Sequence, residues 1–182
     1  HIMFESSGVQ RGDKIALCGR NSSNWAVAFL ATLTYGAVAV PILHEFTADQ
    51  IHNIVNHSEA KLLFVGDYVA TIIDQTKMPD LEGIIYIPDY SLVVSRTDKL
   101  TYAREHLNAM FGEKYPKFFR KEHVHYYREQ SPEELALINY TSGTTGFSKG
   151  VMIPYRAMWS NYDFAMTAVA KHIKKGDNVI SI

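Results

Sequence analysis

The 182-residue chain has a single cysteine, Cys18, so no disulfide can close within it and no cysteine cluster is available to hold zinc. Cys18 ends a short apolar run and reads as a small buried hydrophobe in a reducing compartment. Net charge is nearly absent: 18 Lys and Arg against 19 Asp and Glu leave −1, with a pI near 6.8. That balance over the whole chain gives no electrostatic ground for nucleic acid or a membrane surface as a partner. No apolar run approaches the roughly twenty residues that cross a bilayer, and no signal-peptide pattern opens the chain, so a cytoplasmic protein is expected. The 47% hydrophobic and 20% charged content is that of an ordinary globular domain with room for a full core.

The most informative stretch is Thr141-Ser142-Gly143-Thr144-Thr145-Gly146-Phe147-Ser148-Lys149-Gly150. Strand-like runs flank it, Leu135 to Tyr140 before and Val151 to Ile153 after. Glycine admits backbone angles closed to other residues, so such a loop can turn its amides inward. A concave row of N–H groups, joined by hydroxyls and one ammonium, is what a phosphate chain requires. The stretch is not the common NTPase loop, because Lys149 follows Ser148 and precedes Gly150 where Gly-Lys-Ser/Thr is needed. Nor is it the dinucleotide fingerprint, because Gly143, Gly146 and Gly150 are spaced too widely for G-x-G-x-x-G. A Ser/Thr/Gly-rich linker is the bland alternative, but linkers lack apolar flanks of this kind.

This stretch closely resembles the phosphate loop of the AMP-forming adenylating enzymes, the acyl-CoA synthetases, luciferases and peptide-synthetase adenylation domains. Nine positions of their ten-residue signature can be read here; the departure is Ser148, where proline is usual. Further segments are similar to the same family: Gly8 to Leu17, Asn21 to Trp25, Tyr35 to Pro41 and His57 to Val65. Pro154-Tyr155 departs from it, standing where Thr-His is common. The resemblance implies an enzyme that joins a carboxylate to the α-phosphate of ATP, releases pyrophosphate, and passes the acyl group to coenzyme A. It implies that Lys149 meets a β- or γ-phosphate. Thr141, Ser142, Thr144 and Thr145 would supply further donors, with Gly143, Gly146 and Gly150 allowing close backbone approach. Thr144 is the candidate to face a magnesium ion. The adenine contacts, acidic magnesium ligand, acyl pocket and catalytic lysine of the family have no match in this chain. Partners are expected to be small molecules: ATP, a carboxylic acid and coenzyme A.

Strand-like and helix-like runs alternate, which predicts an α/β fold with a mostly parallel sheet flanked by helices, as in the N-terminal subdomain of that family. Strands are expected at Lys14–Cys18, Ala37–Pro41, Leu62–Val65 and Ile84–Ile87. Asn24 to Tyr35 reads as a mostly buried helix ended by Gly36. Thr47-Ala48-Asp49-Gln50 is a capping box opening a helix with Ile51, Ile54, Val55 and Ser58 inward. Helices are also expected around Tyr68–Gln75, at Tyr102–Phe111 and at Tyr155–Lys171. The chain opens on a helix end and closes on a strand pattern at Asn178–Ile182, so it reads as the first part of a longer enzyme and is expected to be inactive alone.

The segment 88–129 reads as an insertion, rich in Tyr, His, Phe, Lys and Arg. It is similar to insertions in the long-chain fatty acid branch of the family, which favours a fatty acid over an amino or aryl acid as substrate. Its clustered aromatics and cations leave room for contact with an acidic partner or, as a peripheral membrane contact, a lipid headgroup, although a solvated excursion is the plainer reading. A non-catalytic nucleotide-binding α/β module is the alternative from another class. Other constellations carry less. His123 and His125 would share one strand face without further ligands, and His52 and His57 are five apart, so both pairs read as surface or capping histidines. Ser131-Pro132-Glu133-Glu134 reads as the first turn of a short helix.

Overall fold

The computed structural model describes residues 1–141, 149–174 and 176–177. The elements run α1 (Ile2–Ser7), β1 (Lys14–Cys18), α2 (Ser23–Tyr35), β2 (Val38–Ile42), α3 (Ala48–Ser58), β3 (Ala60–Val65), α4 (Asp67–Ile72) and β4 (Gly83–Tyr86). They continue as β5 (Leu92–Ser95), α5 (Asp98–Glu105), α6 (Leu107–Lys114), β6 (Leu135–Thr141), β7 (Lys149–Pro154) and α7 (Tyr155–Phe164). Among the described residues, seven strands form one sheet in the order β5-β4-β3-β1-β2-β6-β7. The inner pairings are parallel, and the two edge strands β5 and β7 are antiparallel to their neighbours. The fold is therefore the expected α/β sheet flanked by helices.

Side-chain alternation along the strands divides the core into two layers. Ala16, Cys18, Val40, Leu63 and Val65 face α3, whose Ile51, Ile54 and Val55 are buried against them. Ile15, Leu17, Ala39, Leu62 and Phe64 face the opposite way, onto Phe4 of α1, Ala28 of α2 and Leu100 of α5. The capping box of α3 forms as the sequence predicts: Thr47 N–H donates to Gln50 Oε1 at 2.9 Å while Gln50 N–H donates to Thr47 Oγ1 at 3.4 Å. Burial pushes the Cys18 thiol up to about 12, so it stays protonated within the core.

Several expectations are corrected. Helix α2 is not mostly buried: only Ala28 and Thr32 are fully covered, and Val27 and Leu30 are each 57% exposed. It is apolar all round, but the sheet covers one side of it. The helix expected at Tyr102–Phe111 is two helices, α5 and α6, that meet at His106. The helix after Tyr155 leaves α geometry at Phe164 and continues as a π-type turn (Ala165–Val169) and a 3-10 turn (Ala170–His172). No helix forms at Ser131–Glu134; it is a turn, closed by Glu134 N–H on Ser131 O at 3.0 Å, because the chain must enter β6 at Leu135. The segment 88–129 begins with ordinary fold elements, β5 and α5, so only its later part departs from the sheet. His123 lies in a 3-10 turn (Lys121–His123), so it shares no strand face with His125. His52 is buried, not a surface residue, and accepts a hydrogen bond from Asp74 N–H at 2.9 Å. The strand pattern at Asn178–Ile182 lies outside the described residues.

Candidate functional site

Strand β6 runs parallel to β2, with Leu137 opposite Ala39, so its last residue, Thr141, arrives at the same edge of the sheet as the carboxyl ends of β1, β2 and β3. Ligands of open α/β sheets bind at that edge. β7 then returns antiparallel, with Lys149 opposite Thr141 and Gly150 opposite Tyr140. The glycine-rich stretch is thus the connection of a hairpin. Ser142, Gly143, Thr144, Thr145 and Gly146 lie outside the described residues, as do Phe147 and Ser148. Thr141 and Lys149 are brought together as a cross-strand pair, and such pairs place both side chains on one face of the sheet. Both residues are exposed. Lys149 is the first residue of β7 and not a loop residue, so its Cα position is set by the sheet.

The stem of the hairpin is locked from beneath. Tyr140 is 4% exposed and its ring packs in the α3 layer of the core. Its hydroxyl meets His57 Nδ1 at 2.7 Å, and the two rings stand edge to face at 5.8 Å. Gly150 faces this ring across the ladder: a Cβ there would lie 3.1 Å from Tyr140 Cζ and 2.9 Å from Ile138 Cγ2. The missing side chain of Gly150 therefore serves strand packing. His57, expected as a surface or capping histidine, thus has a specific partner in Tyr140, which strand alternation through Leu135–Tyr140 turns inward.

A second network holds the far end of the same hairpin. Tyr155 donates to Leu33 O at 2.9 Å, and burial pushes its hydroxyl up to about 12. Tyr127 donates to Glu134, whose other oxygen accepts from Gln130 N–H at 2.7 Å and Ser131 N–H at 3.0 Å. The Tyr127 bond, more than any other contact, holds the Glu134 carboxyl below its ordinary range. Tyr155 thus joins β7 to the end of α2, a structural task at the position where the sequence departs from the Thr-His pattern.

Two cavities adjoin these elements. One, of about 620 Å³, opens where strand order reverses between β1 and β3, lined by Gly19, Arg20, Asn24, His44, Gly66 and Asp67 among others. Gly19 and Gly66 are required there, because a Cβ on Gly19 would sit 3.1 Å from Gly66 N. Most polar groups of this crevice are already engaged: Ser22 caps α2, Asn24 Nδ2 donates to Ile87 O and Pro88 O, and Asp67 accepts from Tyr86. The other cavity, of about 800 Å³, lies between α1, α2, α6 and residues 119–127 and is mainly aromatic and aliphatic. Among the described residues, no group of three His, Cys, Asp or Glu side chains is placed to hold a metal ion. No helix among them is long and apolar enough to cross a membrane.

Comparison with known proteins bears on the same residues. The family described as AMP-binding enzyme matches residues 3–182. The long chain acyl-CoA synthetase 3 of Arabidopsis thaliana is 27% identical over 146 residues, covering 80% of this chain and 22% of that protein. A 7a-methyl-1,5-dioxo-octahydroindenyl-propanoyl:CoA ligase of Mycobacterium tuberculosis is 28% identical over 154 residues, covering 82% of this chain and 28% of that protein. The chain thus spans less than a third of the length of these curated relatives. Among solved structures, a long-chain-fatty-acid-CoA ligase from Archaeoglobus fulgidus superposes with TM-score 0.66 at 22% identity, covering 97% of this chain and 32% of that one. The anthranilate CoA ligase AuaEII, solved with anthranoyl-AMP, gives 0.63 at 22% identity, covering 85% of this chain and 26% of that one.

Proposed function

This chain belongs to the AMP-binding enzyme family, and from that membership we propose that it is the N-terminal part of an ATP-dependent, AMP-forming acyl-CoA ligase. The observation that carries the reading is the hairpin of β6 and β7, which presents Thr141 and Lys149 side by side at the carboxyl edge of the sheet. Activation brings a carboxylate anion up to a polyanion, so the site must neutralise phosphate charge and hold the attacking and leaving oxygens in line. Lys149 is the point charge for a β- or γ-phosphate, held at a fixed height by the strand that begins with it. Thr141 contributes a hydroxyl on the same face, and Ser142, Thr144 and Thr145 are proposed as further donors. Magnesium carried on the phosphates, with Thr144 as its proposed hydroxyl contact, would supply the rest of the charge neutralisation. Coenzyme A is the proposed acceptor of the activated acyl group.

For the substrate we favour a long-chain fatty acid. The aromatic and basic segment that follows α6 supports this, as does the likeness to a long chain acyl-CoA synthetase. An aryl acid is the second reading, favoured by the anthranilate ligase among the structural neighbours. The test is acid-dependent exchange of pyrophosphate into ATP by the full-length protein, run across fatty, aryl and amino acids. Exchange with fatty acids alone supports the first reading, and exchange with aryl acids alone replaces it with the second. A folded protein that exchanges with no acid overturns both and leaves a nucleotide-binding module.

A further inference from the structure

We propose that the segment from Phe111 to Lys121, at and beyond the end of α6, is a docking surface for an anionic lipid bilayer. Its composition is unlike the rest of the chain. From Lys114 to Lys121 it carries Lys114, Lys117, Arg120 and Lys121 and no carboxylate, with Glu113 just before this run and Glu122 just after it, in a chain whose net charge is −1. Lys114 is paired with Glu5 at 3.3 Å; among the described residues no ion pair involves Lys117, Arg120 or Lys121. All three are exposed.

Aromatic rings stand among these cations. Phe118 is 54% exposed, Phe119 48% and Phe111 41%. Fully buried or fully polar positions would need no comment; large rings held half in water beside unpaired cations do. The rings of Phe111, Tyr115 and Phe119 pack on one another with centroids 5.0–5.4 Å apart, which makes a firm base. Phe118 lies beside this trio, tilted against the His123 ring at 5.7 Å, with the Arg120 guanidinium 4.7 Å from its ring centre. In Lys117-Phe118-Phe119-Arg120-Lys121 the two rings lie at the centre and the cations on either side.

A bilayer surface offers an apolar layer beneath an anionic one. Phe118 and Phe119 can enter the boundary of the acyl chains while the flanking cations stay among the headgroups. A purely acidic protein patch would satisfy the cations but would leave the two central rings without an apolar phase. The charge and the half-exposed rings together therefore favour the membrane. This docking does not depend on which acid the enzyme activates.

The test is co-sedimentation of the full-length protein with vesicles of phosphatidylcholine alone and of phosphatidylcholine mixed with phosphatidylserine. Binding to the mixed vesicles only, weakening as salt is raised, is expected. The neutral triple variant Lys117→Gln/Arg120→Gln/Lys121→Gln should lower partitioning on the order of 100-fold, at about one cation's contribution each. Phe118→Ser, which removes a ring outside the packed trio, should lower it about tenfold. Equal binding to neutral vesicles, no vesicle binding by the folded wild type, or wild-type binding by the triple variant would overturn the proposal. Pyrophosphate exchange measured on the same samples keeps the two readings apart. Lost binding with intact exchange is the expected behaviour of the variants. Absent exchange with intact binding counts only against acyl activation.

Discussion

The hydroxyl of Tyr140 lies 2.7 Å from Nδ1 of His57, tying the last buried side chain of β6 to the final turn of α3. The Tyr140 ring also fills the space beside Gly150, where a Cβ would come within 3.1 Å of it. Gly150→Ala must therefore displace both Ile138, whose Cγ2 would lie 2.9 Å from the new Cβ, and the ring, at a cost of about 1–3 kcal/mol by the usual penalty for overpacking. In a Tyr140→Leu background the same substitution should cost less by the ring's share, the contact with Ile138 remaining. Urea titration of the four proteins of this cycle measures the coupling. Equal costs in both backgrounds would show that the ring does not set the stem.

Acidification should weaken the fold through His52. The ring is buried against α3, its Nε2 accepts from Asp74 N–H at 2.9 Å, and burial, followed by the Lys77 charge, lowers its pKa from the ordinary 6.5. A proton on Nε2 would face that N–H donor to donor. Because the folded value lies below the unfolded one, the unfolded chain binds the proton first as pH falls. The contribution is complete above the unfolded value of 6.5 and is lost as pH falls through the folded one. The urea midpoint should drop between about pH 7.5 and 5.5, and His52→Gln, which keeps an acceptor without the titration, should flatten that drop. An identical slope in the variant would assign the loss to other groups.

Local rules made much of this fold legible, and long-range contacts account for what they missed. The Thr47 capping box, the left-handed Gly36 at the end of α2 and the inner face of α3 all follow from spacing within a few residues. The strands β1 and β3 follow from apolar runs. The burial of His52 has no such local signal, and the partner of its Nε2 is Asp74 N–H, 22 residues away. Strand β5 was missed because it pairs with β4 across a turn closed by Tyr90 N–H on Tyr86 O at 2.7 Å, with Tyr90 at φ 57°, an angle that tyrosine spacing does not announce. Arg96 gave no signal either, yet its guanidinium donates to the carbonyls of Gln75, Met78, Pro79 and Leu81 at 2.7–3.0 Å. For the candidate site, the motif announced Thr141 and Lys149, while Tyr140 and His57 needed the packing of β6 on α3.

Gly36 should tolerate no side chain. Its φ is 90°, and a Cβ would lie 2.7 Å from Cγ of Tyr127. The left-handed angle alone costs an L-residue about 1–2 kcal/mol, before the Tyr127 ring is moved. Moving that ring also strains the Tyr127–Glu134 bond and the Arg11 guanidinium 4.9 Å from the ring centre. Gly36→Ala should therefore lose at least about 2 kcal/mol in urea titration, and Tyr127→Leu should recover only the part due to the ring. Full recovery in the double variant would place the whole cost in the clash and none in the backbone.

Lys149 separates stability from chemistry. It is exposed at the start of β7, so Lys149→Ala should change the urea midpoint by no more than a surface substitution does, within about 0.5 kcal/mol. If the ammonium neutralises a phosphate in the activation step, the same variant should lower acid-dependent pyrophosphate exchange by the full-length protein by about 10²–10³-fold, the usual effect of removing one donor aimed at developing charge. Lys149→Arg keeps the charge but exchanges a compact ammonium for a longer planar fork, so partial activity is expected. Gly150→Ala offers the contrast: part of its effect on exchange should track the displaced Tyr140 ring and be relieved by Tyr140→Leu, whereas the loss in Lys149→Ala should persist in full in that background. Relief of both losses by the Tyr140 change would mean that Lys149 acts through the stem of the hairpin and not on the phosphates.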